Sequence, residues 1–241
     1  MRIKSRKANR RRTLTPSPSG VLVTFEGTEG AGKSTLIRKL KERIEQSSDD
    51  RLAQREVVLT REPGGTAVAE KIRELILGHG MDPWTELFLY EAARAEHLAI
   101  TVIPALKRGA IVLCDRFTDS TLAYQSHARG LPWKSVKALN EFATQGLHPR
   151  ITFHLDLDPA IGLARVREQT RFEAEGVAFQ AKVRAGFKKS QKEDPNRWVR
   201  LDAQRKNADE LADAAFEALK KRLTRRSGIR PPALGKRKAS R

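Results

Sequence analysis

The chain has 241 residues, of which 39% are hydrophobic and 32% charged, which suits one large domain with a sizeable buried core. Its single cysteine, Cys114, excludes an intramolecular disulfide framework and a zinc site built from cysteines. Since no apolar run approaches the roughly 18 residues of a membrane span, we expect a soluble, cytoplasmic protein.

The formal net charge of +18 is concentrated at the two ends of the chain. Residues 1–19 hold seven basic and no acidic residues, and residues 220–241 hold ten basic and no acidic residues, so the rest is close to neutral. Such segments cannot bury enough apolar surface to fold. We therefore expect disordered basic tails at 1–19 and 224–241. They are solubilising, or contact polyanions weakly, or, at the N-terminus, direct the protein to an organelle.

The first predicted elements are a strand, a glycine-rich turn and a helix. Residues 21–26 form a short apolar run typical of a buried parallel strand. Leu36, Leu40 and Ile44 then recur every fourth residue, which predicts a helix over 33–46. Between them, residues 27–34 fit the pattern G-x-x-x-x-G-K-[ST]. A strand, this motif and a helix in succession indicate a nucleotide site.

The motif predicts how phosphates are held. Glycines let the backbone wrap around phosphate oxygens, while the N–H groups of the loop and the N-terminus of the helix supply hydrogen-bond donors. In this pattern Lys33 reaches the β- and γ-phosphates and Ser34 ligates Mg²⁺. The predicted donor site is Gly27, Thr28, Glu29, Gly30, Ala31, Gly32, Lys33, Ser34 and Thr35.

Further along the chain, strand and helix patterns alternate. Strands are predicted at 56–60, 110–114, 151–156 and 198–201, and helices at 66–77, 84–107, 134–145, 159–167, 174–189 and 208–223. This alternation predicts a three-layer α/β P-loop NTPase fold over 20–223, with a five-stranded parallel sheet covered by helices. Ligands then bind beyond the carboxyl ends of the strands.

Two of the loops that follow predicted strands carry charged residues. After strand two, Arg61 is a candidate anion partner, followed by Pro63 and two glycines that allow a sharp turn. After strand three, Asp115 stands where a carboxylate near Mg²⁺ is expected, and Arg116 can bridge donor and acceptor phosphates. Strand four also ends in acids, so Asp115 is not the unique metal candidate.

The helix predicted at 84–107 carries an aromatic residue and a cation on one face. Tyr90 and Arg94 are four residues apart, which offers a ring for stacking and a guanidinium for hydrogen bonding. A core tyrosine beside a surface arginine fits the same pattern. None of the five histidines stands beside an obvious acidic partner, so no histidine nucleophile is expected.

Together, GTEGAGKS, TREPGGT, the Tyr90–Arg94 helix and DRFTDSTLAYQ resemble the thymidylate kinases, with the bacterial forms most similar. The resemblance covers about residues 20–220. It implies a P-loop nucleoside monophosphate kinase that uses ATP and Mg²⁺ to convert dTMP to dTDP, in the supply of dTTP for DNA synthesis. It also suggests a homodimer.

The resemblance further implies residue roles. Arg61 and Arg116 would hold the acceptor phosphate, Tyr90 would take the place of the usual phenylalanine stacked on thymine, and Tyr124 would lie near the sugar. Arg94, Thr121 and Gln125 would bind the base. The full predicted acceptor site is Glu29, Arg61, Pro63, Tyr90, Arg94, Arg116, Ser120, Thr121, Tyr124 and Gln125.

Residues 165–175 fall where the family has a mobile lid. A phosphate loop with Glu29 in place of a basic residue resembles the subtype whose catalytic arginines come from the lid, and Arg165, Arg167 and Arg171 are available. The implied catalytic set is these three arginines with Lys33, Asp115 and Arg116, and the implied metal ligands are Ser34 and Asp115.

Other functions remain compatible with the pattern. A kinase for another nucleoside monophosphate or for a deoxynucleoside would share the same phosphate chemistry. A regulatory GTPase, or an ATPase associated with nucleic acid through the basic tails, belongs to a different class. The absence of an Asn-Lys-x-Asp motif argues against a GTPase, and the nearly neutral core argues against a nucleic-acid-associated ATPase.

Overall fold

A computed structural model describes residues 20–166 and 171–224, which form a sheet of five strands surrounded by helices. The strands are β1 (Val21–Glu26), β2 (Val57–Arg61), β3 (Ile111–Asp115), β4 (Ile151–Asp156) and β5 (Trp198–Asp202). The helices are α1 (Lys33–Glu45), α2 (Asp50–Ala53), α3 (Ala67–Gly78), α4 (Pro83–His97), α5 (Ile103–Lys107), α6 (Thr118–Thr121), α7 (Trp133–Thr144), α8 (Pro159–Arg165), α9 (Arg171–Ala174), α10 (Gly176–Glu193) and α11 (Ala208–Thr224). Two π-helical segments complete them: Leu98–Val102 joins α4 to α5, and Leu122–Ala128 extends α6.

The sheet is parallel throughout, in the order β2-β3-β1-β4-β5, which confirms the predicted fold class. The register places Phe25 beside Asp115, and Asp115 beside Arg61. The carboxyl ends of β1, β2 and β3 therefore share one edge. The three loops picked out in the sequence meet at that edge, although they are separated by up to ninety residues of chain.

Apolar packing on both faces of the sheet holds this edge in place. On one face, Phe25 stacks on Phe153 with 5.4 Å between ring centroids, and Leu36 and Leu40 of α1 are buried against the same cluster. On the other face, Phe117 packs in a second buried cluster with residues of β3 and of the Leu98–Val102 segment. Burial of each such side chain contributes about 1.5–3 kcal/mol. The strand run and the helical spacing in the sequence thus meet in the first of these two clusters.

The structure departs from the predicted elements in two places. The single helix predicted at 84–107 is continuous but widens to π-helix at Leu98–Val102, just before Pro104, which lacks an N–H for the regular ladder. Residues 118–128 were not predicted as a helix. Six consecutive residues there, 121–126, are buried, so no amphipathic period is visible. Helix α10 packs so closely on them that a Cβ on Gly186 would lie 2.7 Å from the backbone of Ala123.

None of the helices within 20–166 and 171–224 is long and apolar enough to cross a membrane. The predicted tails at 1–19 and 224–241 lie outside the described residues, except for Thr224, which is the last residue of α11.

Candidate active site

The glycine-rich loop between β1 and α1 has the backbone shape that its sequence predicts. Gly30 and Gly32 have φ values of 69° and 90°, in the left-handed region that favours glycine. A Cβ on Gly30 would lie 2.0 Å from the carbonyl oxygen of Gly162 in α8, and a Cβ on Gly162 would lie 2.3 Å from that of Glu29. The loop is therefore pressed against α8. Gly32 is the N-cap of α1, and no side chain caps the N–H groups at the start of this helix.

Lys33 is folded into this loop. Its side chain is 8% exposed, and Nζ donates hydrogen bonds to the carbonyl oxygens of Gly27 at 3.1 Å and Thr28 at 3.0 Å. Burial, followed by the nearby Arg116 guanidinium, lowers the pKa of Lys33. A cation is thus held inside the loop whose predicted ligand is a polyphosphate.

Ser34 and Asp115 lie together at the start of α1. The Ser34 hydroxyl donates to Oδ2 of Asp115 at 3.0 Å, and Oδ1 of Asp115 is buried without a hydrogen-bond partner among the described residues. Hard oxygen ligands of this kind suit Mg²⁺. The acid at the end of β4 differs, because Asp156 accepts from Arg184 at 2.6 Å and Arg200 at 2.7 Å. The other acid after β4, Asp158, is the N-cap of α8 and accepts from the backbone N–H of Ala160 at 2.9 Å. Of these three candidate carboxylates, Asp115 has the geometry that fits a metal.

A cavity of about 430 Å³ adjoins the glycine-rich loop. It lies between the start of α1, the end of α8 and the loop that joins β5 to α11. Thr35 and Arg165 contribute to its wall, together with residues 203–208. Because residues of the loop and of the start of α1 form part of its wall, it offers room for the nucleoside of a donor whose phosphates lie on the loop.

A second, smaller cavity of about 100 Å³ lies beside the loop. It brings together nine of the ten residues predicted for the acceptor, all except Arg61. These are Glu29, Pro63, Tyr90, Arg94, Arg116, Ser120, Thr121, Tyr124 and Gln125. We call it the acceptor pocket.

Arg116 connects the loop with the acceptor pocket. Its φ of 69° is unusual for a residue other than glycine and directs the side chain back over β1. Nη2 donates to Oε1 of Glu29 at 2.6 Å, and Nη1 donates to the carbonyl oxygen of Gly27 at 3.2 Å. The guanidinium also lies 5.0 Å from the ring centroid of Tyr124. One cation therefore touches both the phosphate loop and the acceptor pocket.

Glu29 is the anionic counterpart of this cation. Burial raises its pKa, but the Arg116 and Lys33 charges outweigh that effect, as do hydrogen bonds from Tyr124 and Arg116, and the pKa falls to about 2. Tyr124 donates its hydroxyl hydrogen to Oε1 of Glu29 at 2.8 Å. Glu29 is thus a fixed negative charge at the mouth of the acceptor pocket.

Arg94 is 2% exposed and largely committed to protein partners. Nε donates to Glu62 at 2.8 Å, Nη1 to Glu91 at 2.9 Å and Asn140 at 2.6 Å, and Nη2 to Thr121 at 2.9 Å. These bonds use four of the five N–H groups of a guanidinium. Because the Arg94 side chain also lines the acceptor pocket, its fifth N–H group is left for a ligand there.

Arg61 lies outside the pocket, and a different arginine lies in its wall. Arg61 pairs with Glu70 at 2.9 Å, and its side chain is 54% exposed. Arg73 lines the pocket instead and donates to the carbonyl oxygen of Pro63 at 3.2 Å. Burial and the Arg61 charge lower the pKa of Arg73. Arg73 was not among the predicted acceptor residues, although it lies on the helix face shared by the buried Ala69 and Ile76.

Glu26, the last residue of β1, was also not among the predicted site residues. It is fully buried and accepts from the backbone N–H of Phe117 at 2.9 Å and from the Ser120 hydroxyl at 2.5 Å. Burial, and then the charge of Asp119, raise its pKa to about 8. An acid that ends a buried strand directly before a glycine-rich loop was the signal available in the sequence.

The expectation that no histidine has an acidic partner was wrong for His97. Its Nδ1 lies 2.9 Å from Oε1 of Glu62 and its Nε2 lies 2.6 Å from the Thr60 hydroxyl. Residues 62 and 97 are far apart in sequence and meet only because α4 packs behind the loop after β2. Glu62, His97 and Cys114 place potential ligand atoms within 4.8 Å, but Glu62 already pairs with Arg94, so hydrogen bonding accounts for the cluster.

The three arginines that were predicted to act from a lid have different positions. Arg165 lines the larger cavity. Arg171 pairs with Glu86 and donates from Nε to the carbonyl oxygen of Ile76 at 2.5 Å. Arg167 lies outside the described residues. In the described conformation, therefore, Arg165 adjoins the donor side and Arg171 is held at α3 and α4.

Comparison with known proteins places these features in one family. A family model for thymidylate kinase matches residues 25–214. The thymidylate kinase of Staphylococcus epidermidis is 43% identical over 206 residues, covering 83% of this chain and 98% of its own. That of Pseudomonas fluorescens is 51% identical over 191 residues, covering 77% and 88%. The crystal structure of thymidylate kinase from Ehrlichia chaffeensis superposes with a TM-score of 0.70 at 31% identity, covering 84% of this chain and all of that one. The chain belongs to the thymidylate kinase family.

Proposed function

We propose that the protein transfers the γ-phosphoryl group of ATP, held on the phosphate loop, to dTMP in the acceptor pocket, with Arg116 between the two. It is an enzyme that phosphorylates dTMP, as its family membership indicates. The observation that supports this arrangement most directly is the double attachment of Arg116, which bonds to Gly27 of the phosphate loop and lines the acceptor pocket.

On the donor side, the loop at 27–34 would hold the phosphates of ATP. Its glycines leave the backbone N–H groups accessible, and Lys33 adds a positive charge. The nucleoside would occupy the cavity of about 430 Å³, where Thr35 and Arg165 form part of the wall. Thr28, Glu29, Gly30 and Ala31 would take part through the backbone N–H groups of this loop.

Ser34 and Asp115 would hold Mg²⁺. The oxygen donors, and the buried Oδ1 of Asp115 without a partner among the described residues, fit a hard divalent cation. When bound, the ion neutralises charge on the β- and γ-phosphate oxygens.

On the acceptor side, dTMP would lie with its base among Tyr90, Arg94 and Gln125. The remaining N–H of Arg94 and the amide of Gln125 supply polar contacts, and the rings of Tyr90 and Phe117 supply apolar ones. Pro63 and Thr121 complete the wall around the base.

The sugar and phosphate of dTMP would lie nearer the loop. Tyr124 and Glu29 are placed to contact the sugar, and Arg116 is placed to contact the phosphate, with Ser120 beside it. Arg73 would add a second cation, and Arg61 would add a third on leaving Glu70.

The chemistry needs no strong general base, because the attacking atom is an oxygen of a phosphate that is already anionic. The protein's work is positioning and charge neutralisation. Lys33 and Arg116 do this on the donor and acceptor sides. The lid arginines, Arg165, Arg167 and Arg171, would supply further positive charge. Arg171 could do so only after leaving Glu86.

An exposed apolar surface on α3 and α4 suits a homodimer. Trp84 and Phe88 are 38% and 55% exposed, with 6.2 Å between their ring centroids, and Val68 and Leu75 of α3 are also exposed. Exposed apolar groups clustered in this way mark interaction sites. We also propose a cytoplasmic location, which the lone reduced thiol of Cys114 suits, and a weak polyanion contact for the basic tails.

The function is tested by ADP release from purified protein with ATP and Mg²⁺, comparing dTMP, dUMP, UMP, CMP, GMP and AMP as acceptors. A strong preference for dTMP is expected. Protein with Lys33→Ala, prepared in parallel, controls for contaminating kinases and should lose turnover by about 10³-fold. Preference for another monophosphate would contradict the base-binding roles, and nucleotide binding without transfer would contradict the kinase function.

A further inference from the structure

Glu86, in the first turn of α4, is a buried carboxylate that none of the proposed catalytic roles uses. It is 1% exposed. Oε1 accepts a hydrogen bond from Nε2 of Gln125 at 2.7 Å and another from Nε of Arg129 at 2.8 Å. Oε2 is paired with Nη2 of Arg171. One carboxylate therefore ties the acceptor pocket to two arginines from other parts of the chain.

The contact with Glu86 fixes the orientation of the Gln125 amide group. A carboxylate only accepts hydrogen bonds, so the NH₂ group of Gln125 must face Glu86. If the amide rotated by 180°, its Oε1 would face the carboxylate oxygen, which sets two acceptors against each other in a buried site. Gln125 thus presents its carbonyl oxygen and its second N–H in a fixed order.

Two arginines, Arg129 and Arg171, bind the carboxylate oxygens of Glu86. Arg129 is itself held by an ion pair with Glu175 at 2.9 Å and lies 5.0 Å from the ring centroid of Phe179. Arg171 is anchored at the carbonyl oxygen of Ile76. Each oxygen of Glu86 thus accepts a hydrogen bond from an arginine, so the carboxylate faces Gln125 as an acceptor.

The fixed order matters because pyrimidines differ in the pattern they present. Thymine and uracil carry an N3–H donor next to a carbonyl acceptor, whereas cytosine carries an N3 acceptor next to an amino donor. A glutamine that is free to rotate can match either base. A glutamine held in one orientation matches one base and sets donor against donor and acceptor against acceptor with the other.

We propose that Glu86 is a specificity-determining residue that locks the Gln125 amide in the orientation that pairs with thymine or uracil and rejects cytosine. Glu86 acts through Gln125 and is therefore a positioning residue. The inference rests on the proposed placement of the base against Gln125.

The test is Glu86→Gln, which keeps the shape of the side chain but lets it donate as well as accept, so that Gln125 can rotate. We would measure kcat/KM for dTMP, dUMP and dCMP at saturating ATP. The preference for dTMP over dCMP should fall by about 10-fold or more, on the scale of one mispaired polar contact. The preference for dTMP over dUMP should stay unchanged, because both bases carry N3–H.

Glu175→Gln is the matched control. It makes the same chemical change in the ion pair on the far side of Arg129, without a direct contact to Gln125. It should retain the wild-type preference for dTMP over dCMP. An equal loss of preference in this control would show that general loosening, rather than the lock, changes selectivity.

An unchanged ratio of dTMP to dCMP in folded Glu86→Gln protein would overturn the proposal. If that variant does not fold, Gln125→Leu tests the lock from the other side, because full discrimination against dCMP without the amide contradicts it and loss of discrimination supports it. A wild type without activity on dTMP would contradict the function itself. A dTMP-selective wild type with an unchanged ratio in the variant would overturn the lock alone.

Discussion

Oε1 of Glu29 accepts two hydrogen bonds, one from Arg116 at 2.6 Å and one from Tyr124 at 2.8 Å, and so joins the phosphate loop to the wall of the acceptor pocket. Arg116 comes from the end of β3 and Glu29 from the loop after β1. The pair positions the guanidinium before any ligand is bound, which is the preorganisation that charge-stabilising catalysis needs.

Replacing Arg116 with alanine should lower kcat by about 10³-fold, the scale carried by groups that clamp a transferred phosphoryl. Steady-state kinetics with dTMP and ATP would measure it, and circular dichroism would confirm the fold. Arg108→Ala is the control, because Arg108 pairs with Glu56 on the surface and should be neutral. Near-wild-type kcat for Arg116→Ala would remove this residue from the transfer site.

Replacing Arg73 with alanine should raise the KM for dTMP by about 10-fold with a smaller change in kcat, because one cation near the acceptor phosphate is lost. The KM for ATP should not change. Arg38→Ala offers a comparison on the exposed face of α1, where Arg38 pairs with Glu42 at 3.9 Å. If the two variants bind dTMP equally well, Arg73 is a structural residue of α3.

Replacing Arg94 with methionine should reduce the free energy of unfolding by about 3–5 kcal/mol, since it leaves the buried carboxylates of Glu62 and Glu91 without their cation. Urea denaturation followed by circular dichroism would measure the change. A loss below about 1 kcal/mol, the value of a surface pair, would show that the network is hydrated in solution.

Glu26 should make the free energy of unfolding depend on pH, at pH values higher than those at which a carboxyl group usually titrates. Its folded-state pKa is raised from 4.5 to about 8, so the folded state binds the proton more tightly than the unfolded state does. This contribution is fully present below about pH 4.5 and is lost as the pH rises towards 8. Each unit of difference corresponds to about 1.4 kcal/mol.

Glu26→Gln, which cannot ionise, should remove that loss. Urea denaturation between pH 5 and pH 8 would compare the two proteins, and the wild type should lose stability relative to the variant as the pH rises. Parallel curves would show that Glu26 has an ordinary pKa. Glu29 acts in the opposite direction, because its pKa of about 2 gives stability above about pH 4.5 that disappears on acidification towards pH 2.

Replacing Phe88 with glutamate should weaken self-association if the exposed face of α3 and α4 joins two copies of the chain. Analytical ultracentrifugation should show a dimer for the wild type and mainly monomer for the variant. Phe142→Glu is the control, because Phe142 is exposed on α7. Identical sedimentation of all three proteins would contradict the interface.

The fold and the phosphate loop could be predicted because their signals are local. The apolar run at β1, the spacing of Leu36 and Leu40 and the motif between them each depend on neighbours in sequence. The buried helix at 118–128 could not be predicted, because its polar and apolar residues are covered alike by α7 and α10, which removes the period that would reveal it.

The acceptor pocket was predicted largely through family resemblance, and its omissions have a common cause. Arg73 and Glu26 acquire their surroundings only when β1, β3 and α3 meet at the edge of the sheet. The same holds for Glu86, which touches a residue 39 positions further along the chain. In the sequence, such a residue can be recognised as a charge at the end of an apolar strand or on the buried face of a helix. Its partner cannot be recognised there, because the two residues meet only in the folded chain.

The two facing glycines, Gly30 and Gly162, leave no clearance between the phosphate loop and α8. Helix α8 ends at Arg165, in the wall of the larger cavity. Any movement of the loop's backbone towards α8 would therefore have to displace this helix. The backbone that is predicted to hold the donor phosphates thus bears directly on the helix that carries Arg165, through two glycines and without a side chain at either position.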